Sequence, residues 1–132
     1  MMEVADNGIL FGLVVRDADA SLDFYQNTLG MKLGWSEPMN EGGTQHYLKF
    51  KGGHLKLFAP DTAPAEGSQK GVDHTGYNLL TFVVTNIQDM CKVFDEKTVQ
   101  IITPVQTTDT GVQWMIIADP EGNRIELAQT GG

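Results

Sequence analysis

Residues 69 positions apart in this chain carry matching side chains in matching local settings: Leu10 with Leu79, Val14-Val15 with Val83-Val84, Asp17 with Asn86, Tyr25 with Phe94. A repeat of this length means that one supersecondary unit is written twice, so the two copies constrain each other's assignment. The first opens with an unbroken apolar run over residues 9–15, the pattern of a strand covered on both faces. Asp17 or Asp19 then caps a helix whose apolar face is Ala18, Leu22, Tyr25 and Leu29, with Gly30 as its stop. Strands follow at residues 31–35, 44–50 and 54–58, separated by a Gly-rich connection over 40–43 and by Gly52-Gly53. The second copy reads the same way. It has a strand at 79–84, a helix striped by Ile87, Met90, Cys91 and Phe94 behind a capping pair Asn86 and Asp89, and strands at 101–106, 112–118 and 124–128.

The predicted fold class is therefore α+β: two βαβββ modules in tandem, about 8–59 and 77–129, joined by a surface linker about 60–76 within a single domain over 1–132. One module of roughly 55–60 residues is marginal alone and covers only one sheet face with its helix. The two open faces are expected to meet as curved mixed sheets enclosing a cavity lined by the first and last strands of each module.

Pro120 and Gly122 make Asp119-Pro120-Glu121-Gly122-Asn123 a hairpin turn. After it, Ile125 and Leu127 alternate with Arg124, Glu126 and Ala128, which carries Glu126 onto a face with Trp114, Ile116 and Ala118 as neighbours. Alternation anchored on Glu126 gives the inward residues: Leu10, Gly12 and Val14; His54, Lys56 and Phe58; Leu79, Thr81 and Val83; Trp114 and Ile116; Glu126. Such a lining, apolar with a few polar handles, suits a small-molecule pocket. It also suits a core, and for Leu10, Val14, Leu79 and Val83 simple filling is an equal reading, while Trp114 either stacks on a planar ligand or caps the core. Met90 and Met115 belong to the core, as does Cys91. Trp35 and Tyr47 are left outside the site because the second strand is expected to bulge or fray at Ser36-Glu37-Pro38.

Nine Lys and Arg against 17 Asp and Glu leave a net charge of −8, which opposes nucleic-acid binding and favours a cationic ligand. The first residues carry no basic segment, and no apolar run approaches the roughly 18 residues of a membrane span, so a cytoplasmic protein with no membrane partner is expected. The lone Cys91 leaves no intrachain disulfide and no thiolate-rich zinc site.

Val15-Arg16-Asp17, Ser21-Leu22 with Phe24-Tyr25, Leu29-Gly30, and the run from Asp119 to Leu127 together resemble the vicinal oxygen chelate superfamily, which includes glyoxalase, extradiol dioxygenases, fosfomycin-resistance transferases and bleomycin-resistance proteins. The resemblance spans nearly the whole chain. It implies metal ligands at a histidine on the first strand of a module and a glutamate on its last, places that fall here at Leu10 and Leu79 and at Lys56 and Glu126. Glu126 alone is kept, so no metal cofactor is expected unless a rearranged site uses His54; His46 and His74 are read as surface or rim residues. The resemblance thus points to a homodimeric small-molecule binder of the bleomycin-resistance type, a non-enzymatic antibiotic-resistance role with a cationic or aromatic drug as cargo. The alternative is a lyase, isomerase, transferase or dioxygenase of the same superfamily, with a displaced metal or with Lys56 and Glu126 as the catalytic acid and base.

Overall fold

Strands bury alternate residues, and a helix with 3.6-residue periodicity supplies the surface that covers them. The computed structural model describes residues 1–6, 8–67 and 75–131; part of the expected linker, with His74, lies outside them. β1 (Leu10–Val14) leads to Asp17, whose Oδ1 accepts the Ala20 N–H at 3.0 Å and starts α1 (Ala18–Asp23). The helix continues into a π-helical turn, Phe24–Thr28, where the Leu29 N–H reaches the Phe24 carbonyl at 3.0 Å. β2 (Lys32–Pro38), β3 (Thr44–Phe50) and β4 (Gly53–Ala59) complete a mixed sheet of order β1-β4-β3-β2, with β1 parallel to β4 and the other pairs antiparallel.

The second copy follows suit: β5 (Leu80–Val83), α2 (Ile87–Glu96), β6 (Ile101–Thr107), β7 (Gln113–Ala118) and β8 (Arg124–Gln129). Its sheet order is β5-β8-β7-β6, with β5 parallel to β8. The fold is α+β, built of two tandem βαβββ modules, and the chain divides into two compact units, Met1–Glu66 and Gly67–Gly132.

Each unit keeps its core between helix and sheet. In unit one Val15, Tyr25, Leu48, Leu55 and Leu57 are fully buried; in unit two Ile87, Phe94, Ile117, Ile125 and Leu127 are. Tyr25 and Phe94, 69 residues apart, fill equivalent places as the largest enclosed side chains, each contributing about 1.5–3 kcal/mol by burial.

Three local features differ from the sequence reading. Asn86 precedes α2 but its side chain makes no capping bond. Gln129, on the helix-facing side of β8, does that work: its Oε1 accepts the Ile87 N–H at 2.8 Å and its Nε2 donates to the Thr85 carbonyl at 3.2 Å. β2 does not fray at residues 36–38, because Ser36, Glu37 and Pro38 pair in order with His46, Gln45 and Thr44. The irregularity falls earlier, at Gly34. Cys91 is half-buried rather than enclosed, its sulfur 3.8 Å from that of Met115.

Candidate functional site

In unit one Leu55 and Leu57 point to the helix, so His54, Lys56 and Phe58 occupy the opposite, open face of β4. β1 brings Leu10, Gly12 and Val14 beside them in register. A Cβ at Gly12 would lie 2.8 Å from the Phe58 ring, so a larger residue there would make that ring shift. The short turn at Lys51-Gly52 sets Phe50 opposite Gly53, which places Tyr47 opposite Lys56 and Lys49 opposite His54. On β2, Leu33 pairs with Leu48 and Trp35 with Tyr47, leaving Gly34 as one extra residue. That bulge moves Trp35 onto the face that Tyr47 occupies, although Leu33, two residues before it, pairs with the helix-facing Leu48.

The result is a polar aromatic cluster. The Trp35 indole stacks on the Tyr47 ring at 4.3 Å and 17°, with the His54 ring 5.8 Å from Trp35 and tilted by 59°. The Lys56 ammonium sits 5.5 Å from the centre of the Tyr47 ring, a cation–π distance. Glu37 Oε1 accepts from the Tyr47 hydroxyl at 3.2 Å and from Gln45 Nε2 at 2.9 Å. Burial, then the hydrogen bond to Glu37 and its negative charge, hold the Tyr47 phenol above its ordinary value near 10.

In unit two the corresponding open face holds Thr81 and Val83 of β5, Arg124, Glu126 and Ala128 of β8, and Trp114, Ile116 and Ala118 of β7. Thr81 pairs with Glu126 across the parallel strands, and its hydroxyl donates to Glu126 Oε1 at 3.0 Å. Behind Glu126, the turn that aims β8 is built on buried Asp119: Oδ1 accepts the N–H groups of Glu121 and Asn123 at 2.9 and 2.8 Å, and Oδ2 accepts Asn123 Nδ2 at 2.9 Å. Gly122 closes it at φ 86°.

The model of the Glyoxalase/Bleomycin resistance protein/Dioxygenase superfamily matches residues 9–127. The chain belongs to that superfamily. Among solved structures, a glyoxalase family protein from Bacillus cereus superposes with a TM-score of 0.80 at 19% identity, over 100% of this chain and 97% of its own. TnmS3, an antibiotic binding protein from Streptomyces sp. CB03234, gives 0.73 at 24% identity over 99% of each chain. A point mutant of glyoxalase I from Zea mays gives 0.76 at 18% identity, over 93% of this chain and 45% of its own. No protein of curated function matches the sequence.

For this superfamily member the sheets bring together most of the residues expected at the site, each within its own unit: Leu10, Gly12, Val14, His54, Lys56 and Phe58 in one, Thr81, Val83, Trp114, Ile116 and Glu126 in the other. Leu79 lies just before β5 and is half-buried. Leu10, Val14 and Val83 are 43, 58 and 73% exposed. Trp35, Tyr47, Glu37 and Gln45 join the face although the sequence reading omitted the two aromatics. Tyr47 was legible from the turn at Lys51-Gly52, which fixes its register against Lys56; Trp35 was hidden by the bulge. His46 faces the other way, its Nδ1 2.7 Å from Ser36 Oγ.

Among the described residues, no His, Cys, Asp or Glu stands beside Glu126 in register on its sheet. Its nearest neighbours in register are Thr81, already bonded to it, and Ile116, while the repeat-equivalent place in unit one is Lys56. Among the described residues, no three His, Cys, Asp or Glu side chains come together as ligands.

Proposed function

We propose that this superfamily member is a small-molecule binding protein that takes a planar aromatic ligand, without a metal, on the open face of unit one. The observation that carries this reading is Trp35: its ring is stacked on Tyr47, yet the residue stays 47% exposed. An ordered indole presented to solvent on a sheet face is a stacking surface already in place, so little conformational freedom is lost when a flat ligand lands on it. The Tyr47 hydroxyl donates to Glu37, which Gln45 holds in turn, and Lys56 and His54 add polar handles beside the stacked rings. The antibiotic binding described for TnmS3 is in keeping with such a role.

The same proposal has the protein in the cytoplasm as a homodimer, a second copy covering exposed Leu10, Val14 and Val83 and leaving Trp35 to the ligand. Among the described residues no helix is long and apolar enough to cross a membrane.

The test is titration with flat aromatic probes of either charge, proflavine and naphthalene-2-sulfonate, followed by tryptophan fluorescence in parallel with elemental analysis of the purified protein. Binding should saturate, Trp35→Ala should weaken it about tenfold or more, and divalent metal should be well below one per chain. Unchanged affinity in Trp35→Ala, or a tightly held stoichiometric metal, overturns the reading.

A further inference from the structure

β8 presents two charged side chains to the open face of unit two, and Glu126 is the lesser puzzle because Thr81 already donates to it. Arg124 stands two residues earlier on the same face, opposite Ala118. Its Nε is buried and has no hydrogen-bond partner among the described residues. A buried Nε–H without an acceptor is expensive, because the water it has lost is not replaced, while the residue as a whole is only half-buried. Glu126 does not relieve it, although the two lie on one strand face with their Cα atoms roughly 6.5–7 Å apart. Opposite them on β7 are Ile116 and Ala118, buried at 8 and 5% exposure, so an acceptor arriving here would meet Arg124 in partly dry surroundings.

We infer that Arg124 is the anchor of an oxyanion subsite on this face, and that its ligand carries a carboxylate together with a hydrogen-bond donor one ring's width away. The carboxylate accepts from the Arg124 guanidinium in the paired fashion that a planar fork allows. The donor, a hydroxyl or amine, meets the Glu126 oxygen that Thr81 leaves free; without it, the negative Glu126 would repel a simple anion. This changes what the acidic composition suggests. A plain cation at Glu126 would lie beside a like charge on Arg124, whereas a hydroxylated aromatic acid or a zwitterion satisfies both groups. The subsite belongs to unit two and stands whether or not Trp35 binds a ligand in unit one.

The test uses the full chain carrying Trp35→Phe, which leaves Trp114 as the sole tryptophan and so as a reporter on the same sheet face. The probe is para-hydroxybenzoate, with para-hydroxybenzyl alcohol as its uncharged counterpart. Para-hydroxybenzoate should give a saturable fluorescence change and the alcohol none. Arg124→Gln should weaken binding by at least about tenfold and Arg124→Lys by less, since lysine keeps the charge and loses the fork. Glu126→Gln should narrow the preference for para-hydroxybenzoate over benzoate, which a purely structural role for Arg124 would not explain. Equal binding of acid and alcohol, absence of saturation, or unchanged affinity in folded Arg124→Gln overturns the inference. So does a change in solution mass in Arg124→Gln, which would mean that the guanidinium engages a second copy. If Arg124→Gln fails to fold, the comparison of acid with alcohol decides.

Discussion

Tyr47 has three partners: the indole of Trp35 lies against its ring, the Lys56 ammonium stands 5.5 Å from the ring centre, and its hydroxyl donates a hydrogen bond to Glu37 Oε1 at 3.2 Å. Its phenol is raised by burial first and by Glu37 second. The folded chain therefore keeps this proton to higher pH than the unfolded chain, so the associated stability is full below about pH 10 and is lost as pH rises through the folded value. Urea denaturation across alkaline pH should show this extra loss in the parent and not in Tyr47→Phe; parallel curves would refute it. Asp119 is a second residue with several dependants. Asp119→Ala strips three hydrogen bonds from the turn and should cost about 2 kcal/mol or more, read from the denaturation midpoint. The turn itself was legible, because Pro120 and Gly122 announce it, but Asp119's burial was not, since nothing in its local sequence says that the chain folds over it.

Elements are where sequence and structure part company most clearly. β3, β4 and β8 follow period two without interruption, so the facing of Tyr47, Lys56 and Glu126 could be read by counting. β2 could not be read so, because one extra residue at Gly34 breaks the count and alternation carries no mark of a bulge. Gly34 is the surplus residue, and its removal leaves Leu33 opposite Leu48 and Trp35 opposite Tyr47. Deleting Gly34 should therefore preserve the near-ultraviolet circular dichroism of the stacked pair, whereas inserting an alanine after Gly34 should abolish it. Loss of the signal on deletion would mean that the extra twist of the bulge, rather than the pairing, sets the stack. The start of α2 makes the same point at longer range. Its cap comes from Gln129, 42 residues away, and no local motif could have named it.

At the scale of the whole molecule, both units leave apolar side chains uncovered on sheet faces turned from their helices: Leu10 and Val14 in one, Val83 in the other. Each buried valine or leucine is worth about 1.5–3 kcal/mol, so a cluster of exposed ones is a strong inducement to association. Strands β1, β2, β5 and β6 also stand at sheet edges. The repeat made the open faces legible in the sequence, because one helix per module can cover only one side of its sheet. Which surface answers them lies outside a single chain's sequence pattern. A second copy of the chain is the partner proposed, and light scattering at micromolar concentration should then return twice 14.5 kDa. Val83→Asp is the sharper experiment. At 73% exposure the new carboxylate is hydrated in the isolated unit and should leave its fold intact, whereas in an apolar interface it would be buried without a partner. The variant should shift the mass toward 14.5 kDa with an unaltered far-ultraviolet spectrum. A parent that is monomeric, or a variant that stays dimeric with Val83 replaced, would show that these faces are not where the copies meet.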